Sequence, residues 1–183
     1  MIFESVFADG KLVEFLNKNK HDPWIDTPFE NYVYLLNTQK GKFGEMFVER
    51  YMRNKGSVVT PRQNTGHDRM IDGYKTEIKF SLCVRSEDGL SNDTFIINHI
   101  SKNKDWERLI FFGINYNFET SRMIWFDKED FSSHSGLFKT QQGGKDVGND
   151  DFMYAGHIVP LMNLPFVKTI DEWTEKTSIL YHG

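Results

Sequence analysis

The chain has 183 residues, of which 39% are hydrophobic and 26% charged, as expected for a globular domain with a single core. Its formal net charge of −4 argues against a protein that grips nucleic acid through a broad basic face. Its longest apolar runs are strand-sized, and its single cysteine, Cys83, has no partner for an internal disulfide. We therefore expect a cytoplasmic protein with no membrane contact and an inert, buried thiol.

The N-terminal third is predicted to be helical. Residues 1–20 carry apolar side chains at helical spacing, and the pattern resumes over residues 29–54 after a segment with two prolines. Gly41 and Gly44 predict a division of the second stretch into two helices, and Gly56 predicts its end.

Beyond residue 56 the periodicity changes to that of strands. Strands are predicted over 57–60, 68–71, 74–84, 93–100, 108–116, 121–126 and 157–161, with a helix as the alternative for 93–100. Residues 132–150 predict a polar, glycine-rich loop, and residues 169–181 predict a closing helix. This order predicts an α/β fold with a mixed β-sheet flanked by helices. We expect a single domain over 1–183, with a helical part (1–55), a sheet (57–130), and a loop with a C-terminal helix (131–183).

The segment 66–81, GHDRMIDGYKTEIKFS, contains a hairpin signal. An Asp-Gly pair between two alternating runs favours a two-residue turn at Asp72–Gly73. Facing residue numbers then sum to 145, which sets Asp68 opposite Glu77 with Cβ atoms about 4.5–5.5 Å apart. Lys79 lies two residues beyond Glu77 and points to the same face. Two carboxylates at this spacing can share one divalent cation.

Asp72 is a rival acid in the same hairpin. Asp before Gly in a tight turn is explained by turn geometry alone, so we predict a structural role for Asp72. The alternative for Asp68 and Glu77 is that both are solvated charges on an exposed hairpin face. Like charges facing each other across a ladder are destabilising, which favours a metal site over that alternative.

These residues resemble the active-site hairpin of PD-(D/E)xK nucleases, the restriction-endonuclease-like superfamily. Gly-His-Asp at 66–68 is similar to the residues at that family's metal-binding aspartate, and Glu-Ile-Lys at 77–79 is similar to its Glu-apolar-Lys motif. The proline of the family's name is absent. Many such nucleases add an upstream glutamate after a glycine, and Glu45 provides one here, with Glu49 one turn further as the alternative.

The resemblance implies a restriction-endonuclease-like three-layer core and hydrolysis of DNA phosphodiester bonds with Mg²⁺, for which Mn²⁺ can substitute. It implies that Asp68, Glu77 and the backbone carbonyl of Ile78 bind the metal. Lys79 would orient or help deprotonate the attacking water. Glu45 would bind a second metal or hold a metal-bound water. The predicted catalytic residues are therefore Asp68, Glu77, Lys79 and Glu45.

Four further side chains are accessory candidates, namely His67, Ser81, Asn98 and His99. His67 and Ser81 flank the predicted site in sequence, and Asn98-His99 resembles a polar pair that follows the lysine in restriction enzymes. Packing or structural hydrogen bonding is the alternative role for these side chains.

A narrower resemblance concerns the whole chain. It is short, acidic and without an obvious DNA-recognition domain, like the small cleavage subunits of heterodimeric type IIS restriction endonucleases. This resemblance implies double-stranded DNA as substrate and a larger DNA-recognition subunit as partner. The alternatives are a mismatch-repair-type nickase or junction resolvase of the same fold, or a catalytically inert DNA-complex assembly module.

Overall fold

The protein is described from a computed structural model that covers residues 9–11, 13–14, 24–86, 89–90, 93–117, 122–141 and 151–174. The chain separates into two compact units, residues 1–35 and 36–183. In the first unit, a 3₁₀ turn covers Tyr32–Tyr34. The helix predicted over residues 1–20 lies largely outside the described residues. The predicted hairpin and its neighbouring strands belong to the second unit.

The second unit contains a mixed six-stranded sheet. In chain order the described strands are β1 (Val59–Pro61), β2 (Arg69–Ile71), β3 (Tyr74–Leu82), β4 (Arg85–Ser86), β5 (Gly89–Leu90), β6 (Thr94–Ser101), β7 (Arg108–Ile114), β8 (Arg122–Asp127), β9 (Lys139–Thr140), β10 (Asp151–His157) and β11 (Lys168–Thr169). The sheet has the order β1-β2-β3-β7-β8-β11. Its neighbours are antiparallel except β3 and β7, which run parallel. The predicted α/β class with a mixed sheet is confirmed.

A second, antiparallel sheet with the order β6-β10-β9 packs on the first. Phe111 of β7 contacts Phe95 of β6 at a ring-centroid distance of 5.5 Å. Its neighbour Phe112 contacts Phe47 of the long helix at 4.9 Å. Adjacent strand residues point to opposite faces, so the mixed sheet lies between that helix and the second sheet. The sequence predicted helices as the flanking elements, and the second sheet is an addition to that prediction.

The long helix α1 covers Asn37–Asn54 without a break. The predicted division at Gly41 and Gly44 is therefore wrong. A Cβ at Gly44 would lie 2.3 Å from the Cβ of Phe80, so this glycine lets the helix approach β3 closely. Packing, and not a helix end, accounts for Gly44. The predicted stop at Gly56 is confirmed, since the helix ends just before it and Gly56 has a φ of +96°, which favours glycine.

The C-terminal part differs from the prediction in three places. Helix α2 (Lys128–His134) and a 3₁₀ turn (Ser135–Leu137) occupy part of the predicted loop 132–150, of which 142–150 lie outside the described residues. Of the predicted strand 157–161, only His157 is in a strand, as the last residue of β10, and the rest belongs to helix α3 (Ile158–Met162). Its two buried residues are three positions apart, which is helical spacing.

The predicted closing helix over 169–181 also differs. Within the described part of that segment, the structure has only the end of β11 and a 3₁₀ turn over Ile170–Glu172. Residues beyond 174 lie outside the described residues.

Cys83 is buried, with 4% of its surface exposed, as predicted for a structural thiol. Within the part of the chain that the structure describes, no helix combines the length and the apolar character needed to cross a membrane.

Candidate active site

A cleft of about 240 Å³ lies where β2 ends beside β3. Helix α1 supplies Glu45, and β3 supplies Glu77 and Lys79. Asp68 comes from the segment just before β2, Lys104 comes from the turn after β6, and β6 supplies another part of the wall. The lining residues are Gly41, Glu45, Asp68, Glu77, Ile78, Lys79, Phe80, Ile96, Ile97, Asn98 and Lys104. The four residues predicted to be catalytic all belong to this lining.

The hairpin has the predicted register, but it ends one pair earlier. Ile71 pairs with Tyr74 and Arg69 pairs with Thr76, so facing numbers sum to 145. Asp68 does not continue the ladder opposite Glu77. Its backbone N–H donates instead to the carbonyl of Thr76 at 3.0 Å. Asp68 and Arg69 therefore both lie opposite Thr76 of β3. This bulge-like step turns Asp68 out of the ladder, as such irregularities often do beside active sites.

Asp72 has the structural role that was predicted. It has a φ of +49° and is followed by Gly73 at +86°, as a two-residue hairpin turn requires. Its Oδ1 accepts from the Val58 amide at 2.7 Å, and its Oδ2 accepts from the Trp173 indole at 2.7 Å. Both carboxylate oxygens are therefore occupied, and the turn is tied to two distant segments.

Asp68 is placed by its neighbours on β3. Its Oδ2 accepts a hydrogen bond from the Ile78 backbone amide at 2.8 Å. Burial and the nearby charge of Glu77 raise the pKa of Asp68 to about 6, although the Ile78 amide and Lys79 oppose this rise. The protein thus holds two carboxyl groups close enough to disfavour the ionisation of one of them.

Glu77 is the most deeply buried acid of the cleft, with 2% of its side chain exposed. Its Oε1 accepts from the ammonium groups of Lys79 at 2.8 Å and Lys104 at 3.0 Å. Its Oε2 is buried and has no hydrogen-bond partner among the described residues. Leaving such an oxygen unpaired costs free energy. Glu77 therefore has one saturated oxygen and one buried oxygen without a hydrogen-bond partner among the described residues.

The backbone of Ile78 is oriented toward Asp68. In a β-strand, the N–H and C=O of one residue point to the same edge. The Ile78 amide donates to Asp68, so the Ile78 carbonyl points to the same edge of β3. This is the edge that pairs with β2 and that is left unpaired where β2 ends. The main chain thus presents an oxygen on the side where Asp68 lies.

Glu45 and Glu49 both form ion pairs with the guanidinium group of Arg69. Arg69 donates from Nη1 to Glu45 at 2.8 Å and from Nε to Glu49 at 2.7 Å. Glu45 lines the cleft, and its charge contributes to the raised pKa of Asp68. The hydrogen bond from Arg69 lowers the pKa of Glu49, which is not part of the cleft lining. Of the two candidate upstream glutamates, Glu45 is therefore the one that lies near Asp68 and Glu77. In this structure its carboxylate is paired with Arg69.

Three accessory candidates have different positions. Asn98 lines the cleft from β6. His67 is 1% exposed and accepts from the Gln63 amide at 3.2 Å, so it fixes the loop before Asp68. Ser81 donates to the carbonyl of Leu82 at 2.7 Å. Neither His67 nor Ser81 belongs to the cleft lining.

His99 belongs to a network of the second sheet. Its backbone N–H donates to Gln141 Oε1 at 2.9 Å, which turns the Gln141 amide nitrogen toward the ring nitrogen Nε2 at 3.2 Å. The ring proton is thereby assigned to Nδ1, which lies 2.9 Å from Asp151 Oδ2. His99 has a φ of +55° and lies at an irregularity between β6 and β10. It is not part of the cleft lining.

Lys104 and Arg69 are site residues that the sequence reading missed. Lys104 reaches Glu77 across 27 positions of sequence, and Arg69 reaches Glu45 across 24. Burial lowers the pKa of Lys104, but the carboxylates of Glu77, Asp68 and Asp151 more than offset this, and its pKa lies above the usual value. No local pattern marks either residue, because each contact depends on how separate segments pack.

The acids of the cleft and the Ile78 carbonyl form a candidate donor set for a metal ion. Among the described residues, no group of three or more His, Cys, Asp or Glu side chains converges tightly enough to hold one. Asp68 and Glu77 supply two carboxylates, and Ile78 supplies a carbonyl at the same edge. Mg²⁺ is usually bound by one or two carboxylates and keeps several waters. The unpartnered Glu77 Oε2 and the raised pKa of Asp68 are features that a bound cation would relieve, so the set fits hydrated Mg²⁺.

Comparison with known proteins gives no match to any protein-family model or to any curated protein sequence. A proposal for the function therefore rests on the chemistry of the cleft and on the resemblance of its hairpin to that of PD-(D/E)xK nucleases.

Proposed function

We propose that this protein is a metal-dependent endonuclease that hydrolyses phosphodiester bonds of DNA. The observation that carries the proposal is the Glu77 carboxylate, whose Oε1 is held by two lysines while the buried Oε2 has no partner among the described residues. Asp68, with its raised pKa, lies beside it. Paired acids that can hold a divalent cation, with a lysine that can donate to a phosphate, suit metal-assisted phosphodiester hydrolysis.

Each residue has a defined task in this proposal. Asp68, Glu77 and the Ile78 carbonyl would hold Mg²⁺ or Mn²⁺, and Glu45 would hold a water of the hydrated ion once Arg69 releases it. A bound Mg²⁺ supplies charge neutralisation at the scissile phosphate and lowers the pKa of a coordinated water. The ammonium group of Lys79 lies beside Glu77 and would donate to the phosphate or orient the attacking water.

The proposal also includes a fold family, a cellular location and a partner subunit. The mixed sheet with its active hairpin would be a restriction-endonuclease-like core in a cytoplasmic enzyme. The net charge of −4 leaves little non-specific affinity for DNA. A larger recognition subunit would therefore deliver double-stranded DNA to this cleft, as in two-subunit type IIS restriction endonucleases.

The proposal is tested by incubating supercoiled plasmid with the purified protein, alone and together with the product of the neighbouring gene. Reactions contain Mg²⁺, Mn²⁺, Ca²⁺ or a chelator. We expect nicked or linear product with Mg²⁺ or Mn²⁺, and none with chelator. Asp68→Asn, Glu77→Gln and Lys79→Met should abolish cleavage while circular dichroism shows a folded protein.

Asp171→Asn is the matched control. Asp171 is an acid that pairs with Lys55 at 2.8 Å, has 78% of its side chain exposed and is not part of the cleft lining. This variant should cleave like the wild type. The proposed function is wrong if no cation supports cleavage, either by the protein alone or together with the product of the neighbouring gene. It is also wrong if Asp68→Asn cleaves at the wild-type rate. Folded, inactive protein that still assembles with DNA would favour the inert assembly module.

A further inference from the structure

Lys104 enters the cleft from outside the predicted motif. It lies in the turn between β6 and β7, and its Nζ is 3.0 Å from Glu77 Oε1. Lys79 approaches the same oxygen at 2.8 Å from within β3. The Lys104 side chain is 40% exposed and that of Lys79 is 15% exposed. Lys104 therefore stands at the mouth of the cleft and Lys79 stands deeper.

The turn that carries Lys104 is anchored on several sides. Trp106 is 2% exposed and donates from its indole to the carbonyl of Ser101 at 2.8 Å. Asp105 pairs with Lys75 at 2.8 Å. The ammonium group of Lys128 donates to the backbone carbonyl of Lys104 itself. The backbone that carries Lys104 is thus fixed.

The need to neutralise the charge of Glu77 does not by itself account for Lys104. Lys79 already provides one ammonium group for the Glu77 charge, and Lys104 donates to the same oxygen. The other oxygen, Oε2, stays buried without a partner among the described residues. The two ammonium groups on this oxygen repel each other, although the surrounding carboxylates keep Lys104 charged. A polyanion at the mouth of the cleft would relieve that repulsion.

We propose that Lys104 binds a phosphate oxygen of the DNA strand in this cleft and is held ready by Glu77 until the strand arrives. This inference rests on the proposed endonuclease function and adds a substrate-positioning residue to it. Phosphate contacts made by lysine fix the position of a bound strand without reading its sequence. A pre-anchored turn suits that task, because less motion is lost when the contact forms.

The test is DNA binding in Ca²⁺, which occupies oxygen sites and commonly does not support cleavage. Fluorescence anisotropy with labelled duplex DNA is measured over a series of salt concentrations, with the recognition subunit present if the plasmid assay requires it. Lys104→Met should weaken binding about tenfold. It should also reduce the slope of log K against log salt by about 0.9, the value for one lost phosphate contact on duplex DNA. Lys104→Arg should restore most of both.

Lys102→Met is the matched control, because Lys102 lies in the same turn and carries the same charge. Its ammonium group lies 5.2 Å from the centroid of the Phe152 ring, and it is not part of the cleft lining. Binding and salt slope should remain at wild-type values in this variant. In the cleavage assay, Lys104→Met should raise KM more than it lowers kcat.

The outcomes separate the two proposals. If the wild type cleaves DNA and Lys104→Met binds with an unchanged affinity and salt slope, the role of Lys104 is refuted and the endonuclease stands. If Lys102→Met weakens binding as much as Lys104→Met does, the effect is general charge loss and the assignment to Lys104 is refuted. If the wild type neither binds nor cleaves DNA, both proposals fall.

Discussion

Replacing Asp68 by Asn should make the protein more stable at neutral pH, although Asp68 is a proposed active-site residue. Burial and the neighbouring Glu77 raise the pKa of Asp68 from an ordinary 3.8 to about 6. At 1.36 kcal/mol for each pKa unit, ionised Asp68 costs the folded state about 3 kcal/mol. Asparagine carries no charge, and its amide oxygen can still accept from Ile78. We expect a gain of about 1–3 kcal/mol in the free energy of unfolding.

The gain should depend on pH in a defined window. Below about pH 3.8, Asp68 is protonated in the folded and unfolded states, so its charge costs nothing. As the pH rises, the unfolded chain loses this proton first, and the folded state loses stability until the pH passes about 6. The difference between Asp68→Asn and the wild type should therefore be small below this window and largest above it.

Asp72→Asn is the matched control in the same hairpin, and it should have the opposite sign. Both oxygens of Asp72 accept from N–H donors, those of Val58 and Trp173. An asparagine amide would turn its own N–H₂ toward one of these donors and leave that bond unmade. The loss should be about 1–3 kcal/mol.

The assay is urea unfolding of the three proteins without divalent cations, followed by tryptophan fluorescence and circular dichroism at intervals from pH 4 to pH 8. The electrostatic reasoning about Asp68 would be refuted if Asp68→Asn were less stable than the wild type at pH 7. A stability difference that does not change with pH would refute it equally. In either case burial and the charge of Glu77 would not raise the pKa of Asp68 as the structure indicates.

Three further predictions follow from the same structure. Mg²⁺ at about a hundred times its dissociation constant should raise the free energy of unfolding of the wild type by about 2.7 kcal/mol. Asp68→Asn should lose this gain, and an equal rise in melting temperature for both proteins would count against the metal site. Gly44→Ala should destabilise the protein by about 1–3 kcal/mol in urea unfolding, because its Cβ would meet Phe80 at 2.3 Å. Gly41→Ala, in the same helix with open space around it, should instead stabilise by about 0.5–1 kcal/mol, and equal effects would contradict this packing. Burial raises the pKa of the Cys83 thiol to about 11, so Ellman's reagent at pH 8 should modify the native protein far more slowly than the urea-unfolded chain. Comparable rates would show that Cys83 is reachable in the folded state.

Local chemistry was enough to predict the turn and its register. Asp72–Gly73 can adopt the positive φ values that a two-residue hairpin turn requires, and those two residues alone set the numbering of the facing pairs. The alternation along β3 then placed Glu77 and Lys79 on one face, because side chains alternate with a period of two. The buried strand β7 was equally readable from its continuous apolar run.

Longer-range packing decided what local patterns could not. Gly44 looked like a helix breaker, but the nearness of Phe80 shows that it permits close packing of α1 on β3. Residues 157–161 looked like a strand because a short apolar run has no period that separates strand from helix. The burial of Ile158 and Leu161, three positions apart, fits the helix that the structure contains.

The sequence by itself determined the order Asp68, Glu77, Lys79 and the turn that brings them together, since hairpin geometry depends on neighbouring residues. Only the tertiary structure decided how the acids are positioned. The bulge-like step moves Asp68 onto the Ile78 amide. The turn after β6 brings Lys104 to Glu77. These contacts depend on where β2 ends and how the second sheet packs, and such long-range contacts leave no periodic signal in the chain.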